Sequence, residues 1–182
     1  MQLVTQPVQW LWNHRFPALN LVGLGMLGWY CSRYGVELKL VWAGVFLVVA
    51  LSIAVFSVLV VNPLLDRIAP SQVNDITAAG EGIYQGYRFH PLRTLAKTPG
   101  EDGLFFVPLL LIGVTPLTSA VGGLLFGAMH YPAYPLKYCI PKALIFFSAA
   151  LLVLPNGLLT VVVGHILLDV VAFVGWHFAR AR

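Results

Sequence analysis

Apolar residues in this sequence fall into six long runs that are separated by polar or glycine- and proline-containing stretches. The runs predict helices at about 16–34, 40–62, 101–115, 117–131, 138–155 and 157–178, because a helix that crosses a bilayer needs about 20 mostly apolar residues. The third and fourth runs are short, and Pro116 in "GVTPLTS" predicts a helix break between them. "LPNG" at 154–157 predicts the turn from the fifth run to the sixth.

Composition places this helical chain in a membrane. Hydrophobic residues make up 59% of the 182 residues and charged residues 10%, whereas a soluble domain carries about 25% charged residues. We therefore expect one all-α transmembrane domain over 1–182, a polytopic bundle with membrane lipids as its surroundings. The net charge of +4 is not taken as a sign of nucleic acid, because in a membrane protein the placement of Lys and Arg reports orientation.

The basic residues are distributed unequally between the two faces of the predicted bundle. Six crossings put both termini, the long polar connector 63–100 and the 132–137 loop on one side. That side holds nine basic residues and the other side holds two, Arg33 and Lys39. Since positive charge concentrates on the cytoplasmic side, we expect both termini to be cytoplasmic. The compact layout favours a bacterial plasma membrane or a related energy-transducing membrane.

Two ionisable residues interrupt the last apolar run, "VVVGHILLDVVAF" at 161–173. A carboxylate in the middle of a span costs about 2.5–3.5 kcal/mol on insertion scales. His165 and Asp169 are four residues apart, so they share one face of a helix. The pair is therefore expected to face polar partners inside the bundle, either as a functional group or as structural contacts between helices.

Glu101 and His130 are candidates for those partners. Glu101 lies about as far before the break at Pro116 as His130 lies after it, so an antiparallel helix pair brings them to one level. Gly123 and Gly127 have the GxxxG spacing that lets helices approach closely. The glycines of "GLGMLG" at 23–28 are also expected to serve close helix packing.

The acidic residues at the start of the third run have a second interpretation. "TPGE" at 98–101 matches a capping box, with Thr98 as N-cap, Pro99 in the first helical position and Glu101 two residues later. Asp102 would then complement the positive end of the helix dipole. Both roles are compatible with a shared pocket of Glu101, His130, His165 and Asp169.

Three short segments together resemble the CPBP family of intramembrane proteases, which includes the CAAX prenyl endopeptidases and bacteriocin-processing proteins. "EDGLFF" at 101–106, "FGAMH" at 126–130 and "HILLD" at 165–169 follow the family pattern of EExxxR, FxxxH and HxxxN or HxxxD. The resemblance covers about 98–170 and implies a CPBP-like core over 98–178, preceded by two generic spans.

The resemblance implies an endopeptidase that cleaves membrane-proximal peptides. Glu101 would activate water with the help of His130, and His165 and Asp169 would stabilise the oxyanion. Asp102 and Phe126 would support these catalytic residues. The mechanism preferred here needs no cofactor and no metal, with zinc as a minor alternative because His, Glu and Asp are zinc ligands.

Two positions depart from the family pattern. Asp102 replaces the second glutamate, and Phe106 stands in the place of the arginine. Arg88, Arg93 or Lys97 from the neighbouring segment are candidates to supply the missing positive charge. The departures favour an alternative, a catalytically silent relative that serves as a subunit or assembly factor of a larger membrane complex. Binding of pigment or haem through the histidines, and a transport role, are further alternatives.

Overall fold

All regular structure in the described part of the protein is helical, as the sequence predicts. The structure, a computed structural model, describes residues 5–68, 88, 91–130 and 136–180. The first four residues, most of the predicted connector (69–87 and 89–90), the 131–135 connection and the last two residues lie outside the described part.

Seven α-helices follow one another in the described part of the chain. They are α1 (Thr5–Tyr34), α2 (Leu40–Phe56), α3 (Asn62–Ile68), α4 (Pro91–Ile112), α5 (Pro116–His130), α6 (Leu136–Ser148) and α7 (Leu158–Arg180). A π-helical turn, Ser57–Val61, joins α2 to α3 without interruption. A second π-helical turn, Ala149–Val153, and a 3-10 turn, Leu154–Asn156, extend α6. Each of the six predicted runs is therefore helical over most of its length.

Three helical stretches of the described part are long and apolar enough to cross a membrane. They are Leu40–Ile68, Cys139–Asn156 and Leu158–Gly175. Helix α5 has 15 residues, which gives a length of about 22 Å, shorter than the hydrocarbon core of about 30 Å. These features fit an integral membrane protein.

The helix bearing Glu101 begins earlier than the sequence predicts. It starts at Pro91 rather than near residue 98, and Pro99 lies inside it. The predicted capping box at Thr98 is therefore wrong, since Thr98 occupies an interior position. The same Thr-Pro pattern does start the next helix: Thr115 Oγ1 accepts from the Thr118 amide at 3.1 Å, and Pro116 is the first residue of α5.

The turns coincide with the glycines of the predicted breaks. Gly113 follows the end of α4 with φ of 100°, and Gly157 precedes α7 with φ of 113°. Positive φ is unfavourable for residues with a Cβ atom. The break between α4 and α5 thus uses Gly113 together with Pro116, and the "LPNG" turn is confirmed.

Glycine allows α1 and α4 to pack with their backbones in contact. A Cβ atom on Gly23 would overlap the carbonyl oxygen of Gly100, and one on Gly103 would overlap the carbonyl oxygen of Gly23. Within "GLGMLG", only Gly23 has this role, because Gly25 and Gly28 face open space. The tight seam fixes α4, and hence Glu101 and Asp102, against α1.

We expect Gly23→Ala to destabilise the protein by about 1–3 kcal/mol, the range typical of overpacking. The matched control is Gly25→Ala, which adds the same methyl group in open space and gains helix propensity. Thermal unfolding in detergent should show a clear decrease in Tm for Gly23→Ala and none for Gly25→Ala. Equal changes in Tm for the two variants would contradict the close packing of α1 against α4 at Gly23.

Glycine also brings α5 close to α6. Cβ atoms on Gly123 and Gly127 would lie 2.7 Å from the carbonyl oxygens of Ala143 and Cys139, so the close packing predicted from the GxxxG spacing is confirmed. Helix α5 packs mainly against α6, whereas α4 packs mainly against α1 and also contacts α7. Helices α4 and α5 also contact each other, but less extensively than each contacts its main neighbour.

Candidate functional site

Glu101 lies inside the bundle, with a side chain facing α5. The residue is 4% exposed. Its Oε1 atom lies 3.3 Å from Nζ of Lys97, one turn earlier on α4, and its Oε2 atom lies 4.0 Å from Nε2 of His130. Lys97, one of the cations proposed from the sequence, thus contacts this carboxylate. Glu101 and His130 are brought together, as their positions around the helix break predict.

His130 is held in a defined orientation at the end of α5. It is fully buried, and its Nδ1–H donates to the carbonyl oxygen of Phe126 at 2.7 Å. The ring of Phe126 lies beside the imidazole, with 4.8 Å between ring centroids. With the proton on Nδ1, Nε2 of the neutral imidazole is a hydrogen-bond acceptor. This acceptor is the atom on the Glu101 side.

Asp102 and His165 form a second polar pair, between α4 and α7. His165 Nδ1 donates to Asp102 Oδ1 at 2.9 Å, and Asp102 is only 1% exposed. Asp102 Oδ2 is buried and has no hydrogen-bond partner in the described part of the protein. The predicted dipole role of Asp102 is wrong, because the residue lies deep inside α4 and contacts a histidine on another helix.

Asp169 lies one turn after His165 and has its own partner on α4. The hydroxyl of Thr98 donates to Asp169 Oδ2 at 2.6 Å, and Thr98 is buried. The sequence did not indicate this role of Thr98, because a Thr-Pro pair resembles a helix start. The clue available was the unpartnered carboxylate of Asp169 itself, which had to find a donor inside the bundle.

We expect Thr98→Val to destabilise the protein by about 1–3 kcal/mol, because it removes the donor and leaves a partly buried carboxylate oxygen unsatisfied. Valine keeps the shape of threonine, so packing changes little. Thr98→Ser keeps the hydroxyl and is the matched control. Thermal unfolding should separate the two variants, and a Val variant as stable as the Ser variant would show that the bond contributes nothing.

Two polar pairs connect α4 to two neighbouring helices. Glu101 faces His130 on α5, whereas Asp102 faces His165 on α7. Adjacent residues on a helix point about 100° apart, so α4 directs its two carboxylates to different neighbours. The shared pocket of Glu101, His130, His165 and Asp169 stays a prediction, and the two polar pairs are joined through α4.

A cavity of about 200 Å³ opens beside the second pair. Asp102, His165 and Asp169 form part of its wall, together with Lys142 of α6. The described lining does not include Glu101 or His130. It includes Phe126, whose ring contacts the His130 imidazole. Lys142 was not considered as a site residue in the sequence, since only the packing of α6 brings it to the cavity.

Phe106, where the resemblance would lead one to expect an arginine, belongs to an aromatic cluster. It is 2% exposed and stacks on Phe146, with ring centroids 4.3 Å apart and planes at 9°. Phe126 stacks on the same ring at 5.2 Å, and Phe105 meets Phe126 edge to face at 5.2 Å. This position packs α4 against α6 and offers no charge to the site.

The donors do not fit a metal ion. No group of three or more His, Cys, Asp or Glu residues in the described part of the chain is arranged to hold one. No catalytic step is therefore derived through zinc.

Comparisons of the chain with protein-family models, with curated proteins and with solved structures give no significant match.

Proposed function

We propose that the protein is a glutamate-dependent intramembrane endopeptidase of CPBP type. The observation that carries the proposal is the buried Glu101 carboxylate, whose Oε2 lies 4.0 Å from Nε2 of an oriented histidine. Buried ionisable groups within membrane helices are costly and are by default candidates for function. The motif resemblance at 101–106, 126–130 and 165–169 supports the same assignment.

Glu101 and His130 are suited to hold and activate one water molecule. Both atoms facing the gap, Glu101 Oε2 and His130 Nε2, are acceptors, and a water has two O–H groups to donate. Atoms 4.0 Å apart can each lie about 2.8 Å from a shared water oxygen. The water oxygen then has its lone pairs directed away from both acceptors, toward a peptide carbonyl. Glu101 takes one proton as the water oxygen bonds to the carbonyl carbon, and it then gives that proton to the amide nitrogen as the C–N bond breaks. The products are a carboxylic acid and an amine.

The second polar group would stabilise the charge that develops on the carbonyl oxygen. Asp102 holds the His165 ring through Nδ1, as a carboxylate commonly orients a functional histidine. In its doubly protonated form His165 donates Nε2–H to the oxyanion. Asp169, one turn after His165, is held in place by the Thr98 hydroxyl, which donates to its Oδ2 atom. Donors fixed before the reaction are effective in an interior of low dielectric constant.

A second candidate function is a catalytically silent subunit or assembly factor of a larger membrane complex. The observation that favours it is Phe106, because the family arginine is replaced by a buried ring stacked on Phe146. Under this hypothesis, the two polar pairs would serve to hold α4, α5 and α7 together.

We further propose six membrane crossings with both termini cytoplasmic, in a bacterial plasma membrane or a related energy-transducing membrane. The excess of basic residues on the predicted cytoplasmic side, nine against two, supports this orientation. The substrates would be membrane-anchored peptides or proteins whose scissile bonds lie near the surface.

The two functions are separated by an experiment on the purified chain in lipid vesicles. Membrane-anchored peptides are added, and new peptide termini are sought by mass spectrometry. An endopeptidase produces defined new termini without any other protein. If no peptide is cleaved, while affinity purification from native membranes recovers a stoichiometric partner, the silent-subunit hypothesis is favoured.

A further inference from the structure

We infer that the cavity between α4, α6 and α7 is a subsite for a large, uncharged apolar side chain of a peptide substrate. The inference rests on the proposed function and names the substrate feature that this site would select. Apolar and aromatic side chains form most of the lining, in particular Phe46, Phe106, Phe146, Ile145 and Leu168. Asp102 and His165 form the polar wall, so a side chain in the cavity would place its backbone near the reacting groups.

The volume of the cavity suits one large side chain. Its volume is about 200 Å³, and an apolar protein cavity of about 150 Å³ is large enough to bind benzene. A phenylalanine, leucine or methionine side chain therefore fits, whereas the methyl group of alanine would leave most of the space unfilled and forgo the dispersion contacts of the lining.

The charges around the cavity favour a neutral occupant. Two carboxylates, Asp102 and Asp169, face the cavity together with the ammonium group of Lys142 and the imidazole of His165. The imidazole can carry a second positive charge. Positive and negative groups are thus present in equal number, so the wall has no large excess of either sign that would attract an acidic or a basic side chain.

A buried atom of one lining residue, Asp102, points independently to a ligand. Asp102 Oδ2 is buried without a hydrogen-bond partner in the described part of the protein, and Asp102 lines the cavity. Buried polar atoms rarely stay unsatisfied. A backbone N–H of the substrate is a suitable donor to this oxygen while the neighbouring side chain occupies the apolar part of the cavity.

The small side chains of two alanines leave room in the cavity for a substrate side chain. Ala149, which is buried, and Ala172, which is exposed, both line the cavity. Enlarging either residue should reduce the room for a substrate side chain. Ala172→Leu is the safer variant, because an exposed position accommodates the added bulk without unfolding. Ala128→Leu, at an exposed position on α5 outside the lining, is the matched control.

The test uses membrane-anchored peptides in vesicles of phosphatidylethanolamine and phosphatidylglycerol. The peptides are identical except at one juxtamembrane position, which carries Ala, Leu, Phe or Asp. In further peptides the variable residue is placed at successive positions along the juxtamembrane segment. We expect the scissile bond to move with Phe or Leu. We also expect Ala149→Leu and Ala172→Leu to lower the preference for Phe over Ala by about tenfold or more, while Ala128→Leu keeps the wild-type preference.

Other outcomes separate the inference from the proposed function. Cleavage without a preference for Phe or Leu, or a preference that survives both lining variants, would overturn the subsite and leave the endopeptidase proposal intact. If wild type cleaves no peptide, the subsite is tested without cleavage, by photo-cross-linking of peptides that carry photo-leucine at the variable position. Cross-links to residues 145–149 and 165–172 that Ala172→Leu removes would support it. Cross-links elsewhere, or none, would overturn it.

Discussion

Replacing Asp102 with alanine is expected to lower the free energy of unfolding by about 3–5 kcal/mol. The substitution leaves His165, on α7, without the carboxylate that accepts from its Nδ1 atom at 2.9 Å. Removing one partner of a buried ion pair has an effect of this size, because the other group stays buried without compensation. The measurement is equilibrium unfolding in detergent or bicelles, followed by the loss of helix and tertiary signals.

An exposed ion pair in the same chain provides the control. Glu37 and Lys39 approach to 2.9 Å, with side chains that are 59% and 45% exposed. Pairs of this kind contribute at most about 1 kcal/mol, so Glu37→Ala should change stability little. The double variant Asp102→Ala with His165→Ala should be less destabilised than the sum of the single variants. If Asp102→Ala has no larger effect than Glu37→Ala, the buried pair does not hold α4 to α7.

The positions of the helices were largely predictable from the sequence. Apolar runs mark the helices, and glycine and proline mark the breaks, because Gly113 and Gly157 adopt positive φ and Pro116 favours a helix start. The meeting of Glu101 with His130 follows from equal distances on either side of such a break. These features depend on local sequence and on helical rise, which a sequence displays directly.

The residue at which α4 begins could not be predicted from the sequence. Thr98-Pro99 and Thr115-Pro116 present the same local signal, yet only Thr115 caps a helix. At Thr98 the hydroxyl instead contacts Asp169, 71 residues later in the chain. The glycine seam between α1 and α4 also passes this position. Contacts between distant segments thus decide whether a Thr-Pro pair starts a helix, because the local sequence pattern is the same at Thr98 and at Thr115.

The individual partners of the polar side chains could not be predicted from the sequence. Helical spacing shows that His165 and Asp169 share a face, but the partners of that face depend on how the helices cross. Helix α4 turns Asp102, and not Glu101, toward α7, and α6 brings Lys142 to the cavity. The sequence gives no role for Phe106, whereas in the structure it stacks on Phe146 and joins α4 to α6.

Replacing Glu101 with glutamine is expected to reduce peptide cleavage by about 10²–10⁴-fold, the contribution of a positioned general base. Glutamine keeps the shape of the side chain, its amide oxygen can accept from Lys97, and its amide N–H can donate to His130 Nε2. It cannot take a proton from water. The variant therefore preserves the packing of α4 against α5, and the loss of rate reports the chemistry of the carboxylate.

Cleavage of one membrane-anchored peptide, by equal amounts of wild type, Glu101→Gln and Glu37→Gln in the same vesicles, is the most direct measurement. Thermal unfolding of each preparation establishes that all three are folded. A hydrolytic centre at Glu101 predicts cleavage by wild type and by Glu37→Gln at similar rates, with almost none by Glu101→Gln. Cleavage by folded Glu101→Gln at the wild-type rate would contradict it.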